Sequence, residues 1–239
     1  MKPATAEKLL NKVRFDYNQI AEDFSYSRSY PWGEFKILNE YIKDGQNVLD
    51  IGCGNGRLTE SFKQKKIFYN GIDSSTNLIM MAQRKYPKHL FQTGDMLAIP
   101  FVKEEFNVAM AIAVFHHIPS LKLRREALRE VSRVLKPKSY FLMTNWNLWQ
   151  KKYKNLNYKY GLQKILRLND FDQGDVLVPW KNSKGKIIQK RYYHSFKLKE
   201  LNDLAKSTGF KIIKQYYSLR GAKSDIKSAS NILSIWQKN

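Results

Sequence analysis

VLDIGCGNG, residues 48–56, is the stretch on which the fold turns. An apolar run carrying one acid, Asp50, ends in glycines at 52, 54 and 56. The run reads as a strand. The glycines let the chain turn tightly at its end and approach a ligand with no Cβ atoms in the way. Leu58–Lys66 then continues as a helix, whose start presents unbonded backbone N–H groups. The G-x-G-x-G spacing departs from the G-x-G-x-x-G loop that cradles a pyrophosphate. Asp50 would repel a pyrophosphate, and it suits a ligand that carries an ammonium group. Taken alone, such a turn is also a common packing device, so its meaning depends on its surroundings.

Downstream, strands and helices alternate. Phe68–Ile72, Leu90–Thr93, Phe106–Ile112 and Ser139–Asn145 read as strands, with helices at Thr76–Lys85 and Leu123–Leu135. This order predicts a doubly wound, mostly parallel sheet with right-handed crossovers. Upstream, apolar spacing of three and four (Leu9, Leu10, Val13, Tyr17, Ile20, Phe24) predicts a helix over residues 5–24. Pro31 prevents its easy continuation, and a short helix over 34–43 ends at Asp44-Gly45. Residues 147–195 break the rhythm with a segment rich in Lys, Arg and Tyr that holds only three acids. A helix at 197–208 and strands at Lys211–Ser218 and Ile232–Gln237 close the chain. The expectation is one α/β domain over residues 1–239 with a Rossmann-like, mostly parallel seven-stranded sheet. Its parts are an N-terminal helical segment (1–45), a core (46–146), an inserted basic cap (147–195) and a C-terminal helix with two strands (196–239).

Composition narrows the partners. The 239 residues are 43% hydrophobic, enough for a core, and 42 Lys and Arg against 21 acids leave a formal charge of +21. A balance this basic points to a polyanion, with nucleic acid the commonest one. Cys53 is the only cysteine, so neither a disulfide nor a self-contained zinc site is expected. No secretory h-region and no apolar run of membrane-spanning length occur, and the expectation is a soluble cytoplasmic protein without a bound metal.

The glycine loop resembles the first motif of class I methyltransferases, and three further segments follow in that family's order. Gly71-Ile72-Asp73 ends the second strand, Gly94-Asp95-Met96 follows the third, and Ala111-Ile112-Ala113-Val114 closes the fourth. The resemblance implies S-adenosylmethionine as cofactor. It assigns Asp50, Gly52, Cys53, Gly54, Asn55 and Gly56 to the loop, and Asp73 with Ser74 to the ribose hydroxyls. Asp95 and Met96 are assigned to the adenine, and Ala111 and Ala113 to the methionine end. Asp73 could instead cap the helix that begins after Ser74 and Ser75.

Other segments resemble the tRNA wobble-uridine carboxymethyl methyltransferases over about residues 10–239. These are Tyr17-Asn18-Gln19-Ile20-Ala21 with Phe24, Arg28 and Pro31-Trp32; Ile112–His117; Asp175–Trp180; and Arg191-Tyr192-Tyr193-His194. The resemblance implies methyl transfer to the carboxylate of 5-carboxymethyluridine at position 34 of a tRNA anticodon stem-loop. Eukaryotic relatives act with a small zinc-binding activator protein. A carboxylate is already ionised at pH 7, so positioning is the main task, and an Arg fork grips a planar anion well. Arg28 and Arg191 suit that carboxylate or the neighbouring phosphates. His116 and His117 follow a strand end and either serve the site or fill a polar pocket. Trp146 can stack on a uridine base or belong to the core. Asp175 can orient Arg191 or His194, or accept from the uracil. Lys181, Lys184, Lys186 and Lys190 suit RNA phosphates. The other readings are a methyltransferase for a related tRNA uridine side chain, one for a small acidic or lipid-quinone molecule, and a non-catalytic RNA-binding module.

Overall fold

The computed structural model describes residues 1–27, 33–181 and 186–239. Its centre is a sheet built around β1 (Asn47–Ile51). On one side β1 pairs in parallel with β2 (Phe68–Asp73), which pairs with β3 (Leu90–Thr93). On the other side it pairs in parallel with β4 (Phe106–Ile112), which pairs with β5 (Leu135–Trp146). Strand order therefore reverses between β1 and β4, the place where open α/β sheets leave a crevice beyond their carboxyl ends. The antiparallel strands β8 (Phe210–Leu219), β9 (Ala222–Lys223) and β10 (Asn231–Lys238) complete the order β3-β2-β1-β4-β5-β10-β8-β9. The eighth strand, beyond the seven expected, is the two-residue β9, which folds back on β8.

Helices cover both faces. α4 (Thr76–Lys85) starts on a Ser75 cap whose hydroxyl accepts from the Leu78 N–H, and α5 (Leu121–Val134) starts on a Ser120 cap that accepts from Leu123. Alternation along the strands sends Leu49 and Ile51 to one apolar layer with α5 and α7 (Leu198–Ser207). Val48 goes to the other layer, with α4 and α3 (Glu34–Asn39). Fully buried side chains such as Trp236, Phe141 and Phe106 each contribute about 1.5–3 kcal/mol of burial free energy.

Three local expectations differ from what is found. The N-terminal helix divides at Ile20 into α1 (Pro3–Gln19) and α2 (Ala21–Ser27). The helix expected over 58–66 is a 3-10 helix, Arg57–Phe62, because the Thr59 amide and hydroxyl both bond to the Gly56 carbonyl and tighten the turn. β5 starts four residues early, and its pairing with β4 jumps from Leu135 to Tyr140 around Lys138 at φ 62°. The cap consists of α6 (Lys154–Ile165) and an antiparallel hairpin of β6 (Asp175–Lys181) and β7 (Ile187–His194). Among the described residues no helix is long and apolar enough to cross a membrane.

Candidate active site

A cleft opens at the carboxyl ends of β1, β2 and β4, with about 980 Å³ of empty space counting its mouth, enough for a nucleoside-sized ligand. Gly52 turns at φ 71°, and a Cβ there would meet Val114 at 2.3 Å, so only glycine fits. Gly54 lies opposite Phe24. Ala113 also has a positive φ of 59°, which is strained for alanine, and its N–H is held by the Thr144 carbonyl. This turn lays the backbone of Ala113 and Val114 along the cleft wall.

Asp73 is the best-defined acceptor. Its Oδ1 takes the Ser75 N–H at 2.8 Å and its Oδ2 takes the Gly54 N–H at 2.9 Å. Each carboxylate oxygen keeps a lone pair, which fits two donors on adjacent carbons, such as a ribose diol. Burial raises its pKa and the two backbone N–H groups pull it back. Asp95 also lines the cleft. Its Oδ1 accepts from the Leu97 N–H, and Arg14 of α1 forms an ion pair with its Oδ2 at 3.2 Å.

Of the expected cofactor residues, Gly52, Gly54, Asp73, Ser74, Asp95, Met96 and Ala113 line the cleft, whereas Asp50, Cys53, Asn55, Gly56 and Ala111 do not. Asp50 points into the sheet's other layer, where its Oδ2 accepts from Tyr69 Oη at 2.5 Å. Burial raises its pKa to about 7, so an ammonium-binding role for its side chain does not fit this placement. Asn55 ties the loop to Ser25 of α2 at 2.6 Å. Ala111 is enclosed in the strand interior, and its neighbour Ile112 faces the cleft instead.

The hairpin accounts for the Arg-Tyr-Tyr-His segment through its pleat. Directly paired residues share a face, and the register pairs Val178 with Arg191 and Val176 with Tyr193. Tyr193 therefore lines the cleft, and Arg191 shares its side of the hairpin, set behind the cleft wall. Tyr192, Asp175 and His194 occupy the opposite face, where Asp175 Oδ1 accepts from Tyr192 Oη (2.7 Å), His194 Nδ1 (2.7 Å) and Arg124 Nη2 (3.3 Å). His194 Nε2 lies 2.8 Å from Glu200. This buried network joins α5, both hairpin strands and α7. Of the roles open to Asp175, orienting His194 is the one these hydrogen bonds support; neither residue lines the cleft, so direct contact with the substrate does not fit their placement.

On the cleft side, Arg191 is 2% exposed. Its guanidinium lies 4.4 Å from the Trp180 ring centre, 5.3 Å from Tyr193, 5.5 Å from Tyr17 and 5.8 Å from Trp146. Its Nη1 donates to Tyr17 Oη at 3.0 Å. Tyr17 is 2.9 Å from His117 Nε2, and His117 Nδ1 is 2.8 Å from the Tyr192 carbonyl. A carbonyl only accepts, so Nδ1 carries the proton. Burial holds the His117 pKa down at about 3, so the ring is neutral and Nε2 accepts from Tyr17. Every proton in the relay Arg191–Tyr17–His117 is thereby assigned. His116 accepts the Trp146 N–H at Nδ1. Burial, helped by the nearby His117 and Arg191 and opposed by Asn145, holds its pKa well below the usual value. Its Nε2 is buried with no hydrogen-bond partner among the described residues. Tyr193 stacks against both His116 and Trp146 at 5.0 Å, and those two rings lie 6.0 Å from each other.

α1 spans the two halves. Besides Tyr17, its Asn18 accepts from the Ser75 hydroxyl at 2.7 Å and from the Asn77 N–H at 3.3 Å, beside Asp73. Lys190 on β7 and Lys186 just before it are exposed. Arg28, Lys184 and the side chain of Lys181 lie outside the described residues. Among the described residues no group of His, Cys, Asp and Glu is arranged to hold a metal ion.

Residues 49–143 match the family model of the methyltransferase domain. Over 222 residues the chain is 30% identical to the tRNA (carboxymethyluridine(34)-5-O)-methyltransferase of Schizosaccharomyces pombe, covering 84% of this chain and 89% of that protein. The chain belongs to this methyltransferase family. It is also 34% identical over 157 residues to mouse tRNA (carboxymethyluridine(34)-5-O)-methyltransferase ALKBH8, which covers 66% of this chain but only 23% of the mouse protein. An S-adenosylmethionine-dependent methyltransferase from Methanosarcina mazei shares the fold, with TM-score 0.66 at 24% identity over 87% of this chain and 97% of that one. The methyltransferase identified here uses S-adenosylmethionine, and the donors and acceptors of its cleft fit that cofactor. Asp73 suits the ribose, the Gly52–Gly54 turn admits close approach, and Ala113–Val114 offers backbone to the methionine end. Sequence reasoning assigned no site role to Tyr17 or Arg14, and left Trp180 between core packing and pocket wall. The cue for Tyr17 was its place in the N-terminal segment quoted with Arg28.

Proposed function

We propose that this methyltransferase esterifies the carboxylate of 5-carboxymethyluridine at the wobble position of a tRNA. The observation that carries the reading is Arg191, a buried guanidinium beside the cofactor cleft that forms no ion pair with a carboxylate among the described residues. An isolated buried charge is costly, and an acceptor carboxylate entering from the RNA would supply the missing partner. Bound S-adenosylmethionine supplies an electrophilic methyl group whose departure from sulfur leaves a neutral thioether. The protein's own residues have little proton transfer to perform, since the acceptor is ionised at neutral pH. His117 Nε2 is already occupied by the Tyr17 proton and is not free to act as a base. The task that remains is orientation. The Tyr17–His117 relay fixes the Arg191 fork, and Trp146 and Tyr193 form a flat aromatic wall suited to an unstacked base. The exposed Lys186 and Lys190, with the formal charge of +21, support contacts to RNA phosphates.

The test combines purified protein, labelled S-adenosylmethionine and tRNA carrying 5-carboxymethyluridine, read by nucleoside mass spectrometry with and without a small zinc-binding activator subunit. A base-labile gain of one methyl at uridine 34 is the expected result. No methyl ester under either condition, with cofactor binding intact, overturns the proposal.

A further inference from the structure

We propose that the indole N–H of Trp180 binds the substrate. Together with the Nε–H of Arg191 it forms a donor-only cradle that reads the acceptor group as an anion and rejects its amide. The inference rests on the carboxylate reading above and names a residue and a selectivity that the reading does not contain.

Trp180 and Arg191 are diagonal neighbours on the side of the hairpin whose Tyr193 lines the cleft: Val178 pairs with Arg191, and Trp180 lies two residues further along the same face. The Trp180 ring is the closest of the four aromatic rings around the guanidinium, at 4.4 Å, and it also meets Phe24, which lines the cleft, at 6.5 Å. Arg191 commits Nη1 to Tyr17 and leaves Nε buried without a hydrogen-bond partner among the described residues. Trp180 Nε1 is likewise buried without a hydrogen-bond partner among the described residues. A buried indole N–H ordinarily finds an acceptor, and leaving two adjacent donors unpaired is costly. An indole N–H and a guanidinium N–H can only donate. An ionised carboxylate presents only acceptors and satisfies both. A carboxamide would turn an NH2 toward one of them. The methyl ester keeps its acceptors but has lost its charge, so the same cradle holds the product less tightly than the substrate.

Trp180→Phe keeps a ring beside the guanidinium and removes only the donor. With carboxymethyl-bearing tRNA, kcat/KM should fall about tenfold or more, while cofactor affinity by calorimetry stays within about twofold. In direct binding, the wild-type protein should prefer 5-carboxymethyluridine over its carboxamide analogue by about tenfold or more, and Trp180→Phe should shrink that preference. Equal binding of acid and amide by the wild type overturns the inference with no variant needed. A Trp180→Phe protein with wild-type kcat/KM overturns it too, as does one that loses cofactor affinity as strongly as turnover. A wild type that methylates no carboxymethyl tRNA strikes the carboxylate reading instead, and that control separates the two failures.

Discussion

Tyr17→Phe removes one oxygen and leaves the ring, with its edge contacts to Phe24 at 5.4 Å and His117 at 5.2 Å, in place. That oxygen accepts from Arg191 Nη1 at 3.0 Å and donates to His117 Nε2 at 2.9 Å. The first bond involves a charged donor and has a net worth of about 1.5–3 kcal/mol; the second leaves a buried acceptor unpaired at about 1–3 kcal/mol. Tyr17 lines the cleft, so the lower ends apply, and the loss of stability should be about 2.5 kcal/mol. For a chain of this length that is a fall in Tm of about 5–10 °C. Turnover should suffer more than folding, because the freed guanidinium no longer holds one orientation. Loosening worth about 1.4–2.8 kcal/mol in the transition state lowers kcat/KM for tRNA about ten- to hundredfold. Cofactor affinity should barely change, since Asp73 and the Gly52–Gly54 turn are untouched. Thermal melts, calorimetry and single-turnover methylation measure the three quantities. Wild-type kcat/KM in a stably folded Tyr17→Phe protein would refute the claim that this relay aims Arg191.

Asp73→Ala should weaken S-adenosylmethionine binding by about tenfold or more in calorimetry, because two acceptor sites and the anchor of the Gly54 amide vanish together. Asp175→Asn should lower stability by about 3–5 kcal/mol yet leave cofactor affinity intact; a loss confined to substrate KM would show that Asp175 serves the substrate after all. Asp50 has a folded pKa of about 7, raised above its ordinary value of 3.8. Its stabilising contribution is therefore full below about pH 4 and is lost as pH rises through about 7. Asp50→Asn removes that slope, and its Tm relative to wild type should climb between pH 5 and pH 8.5; a constant difference would contradict a neutral Asp50. His117 acts in the opposite sense. Its folded pKa of about 3 lies below the usual 6.5, so its contribution is present above about 6.5 and fades as pH falls toward 3. Between about pH 4 and 6.5 the two contributions oppose each other, and Asp50→Asn, which keeps only that of His117, should gain stability as pH rises across this range in thermal melts.

What could be read from the chain was whatever depends on local spacing. The glycine loop, the acid ending the second strand and the alternation of strands and helices are short-range patterns, and each lies where spacing put it. What could not be read depends on pairing between distant residues. Arg191, Tyr192, Tyr193 and His194 look like one cluster in sequence, yet the pleat sends alternate members to opposite faces, and only the hairpin register says which. Arg124 stands in a strongly charged helix and reads as solvated, but it is 2% exposed beneath the hairpin. Tyr17 meets His117 across a hundred residues, a contact with no local signature. The helix expected after the glycine loop failed for a local reason, the competing bonds of Thr59.

α1 is a single rigid strut with one foot on each ligand's ground. Asn18 rests on Ser75 and Asn77 beside the cofactor's ribose acceptor, and one residue earlier Tyr17 holds the guanidinium meant for the acceptor. Ligands that share a strut cannot have independent affinities. By whatever factor bound cofactor tightens the RNA through α1, RNA must tighten the cofactor equally. On the proposed reading, cofactor and RNA are thus linked through two adjacent residues of α1, and a change there alters their coupling before it alters either site.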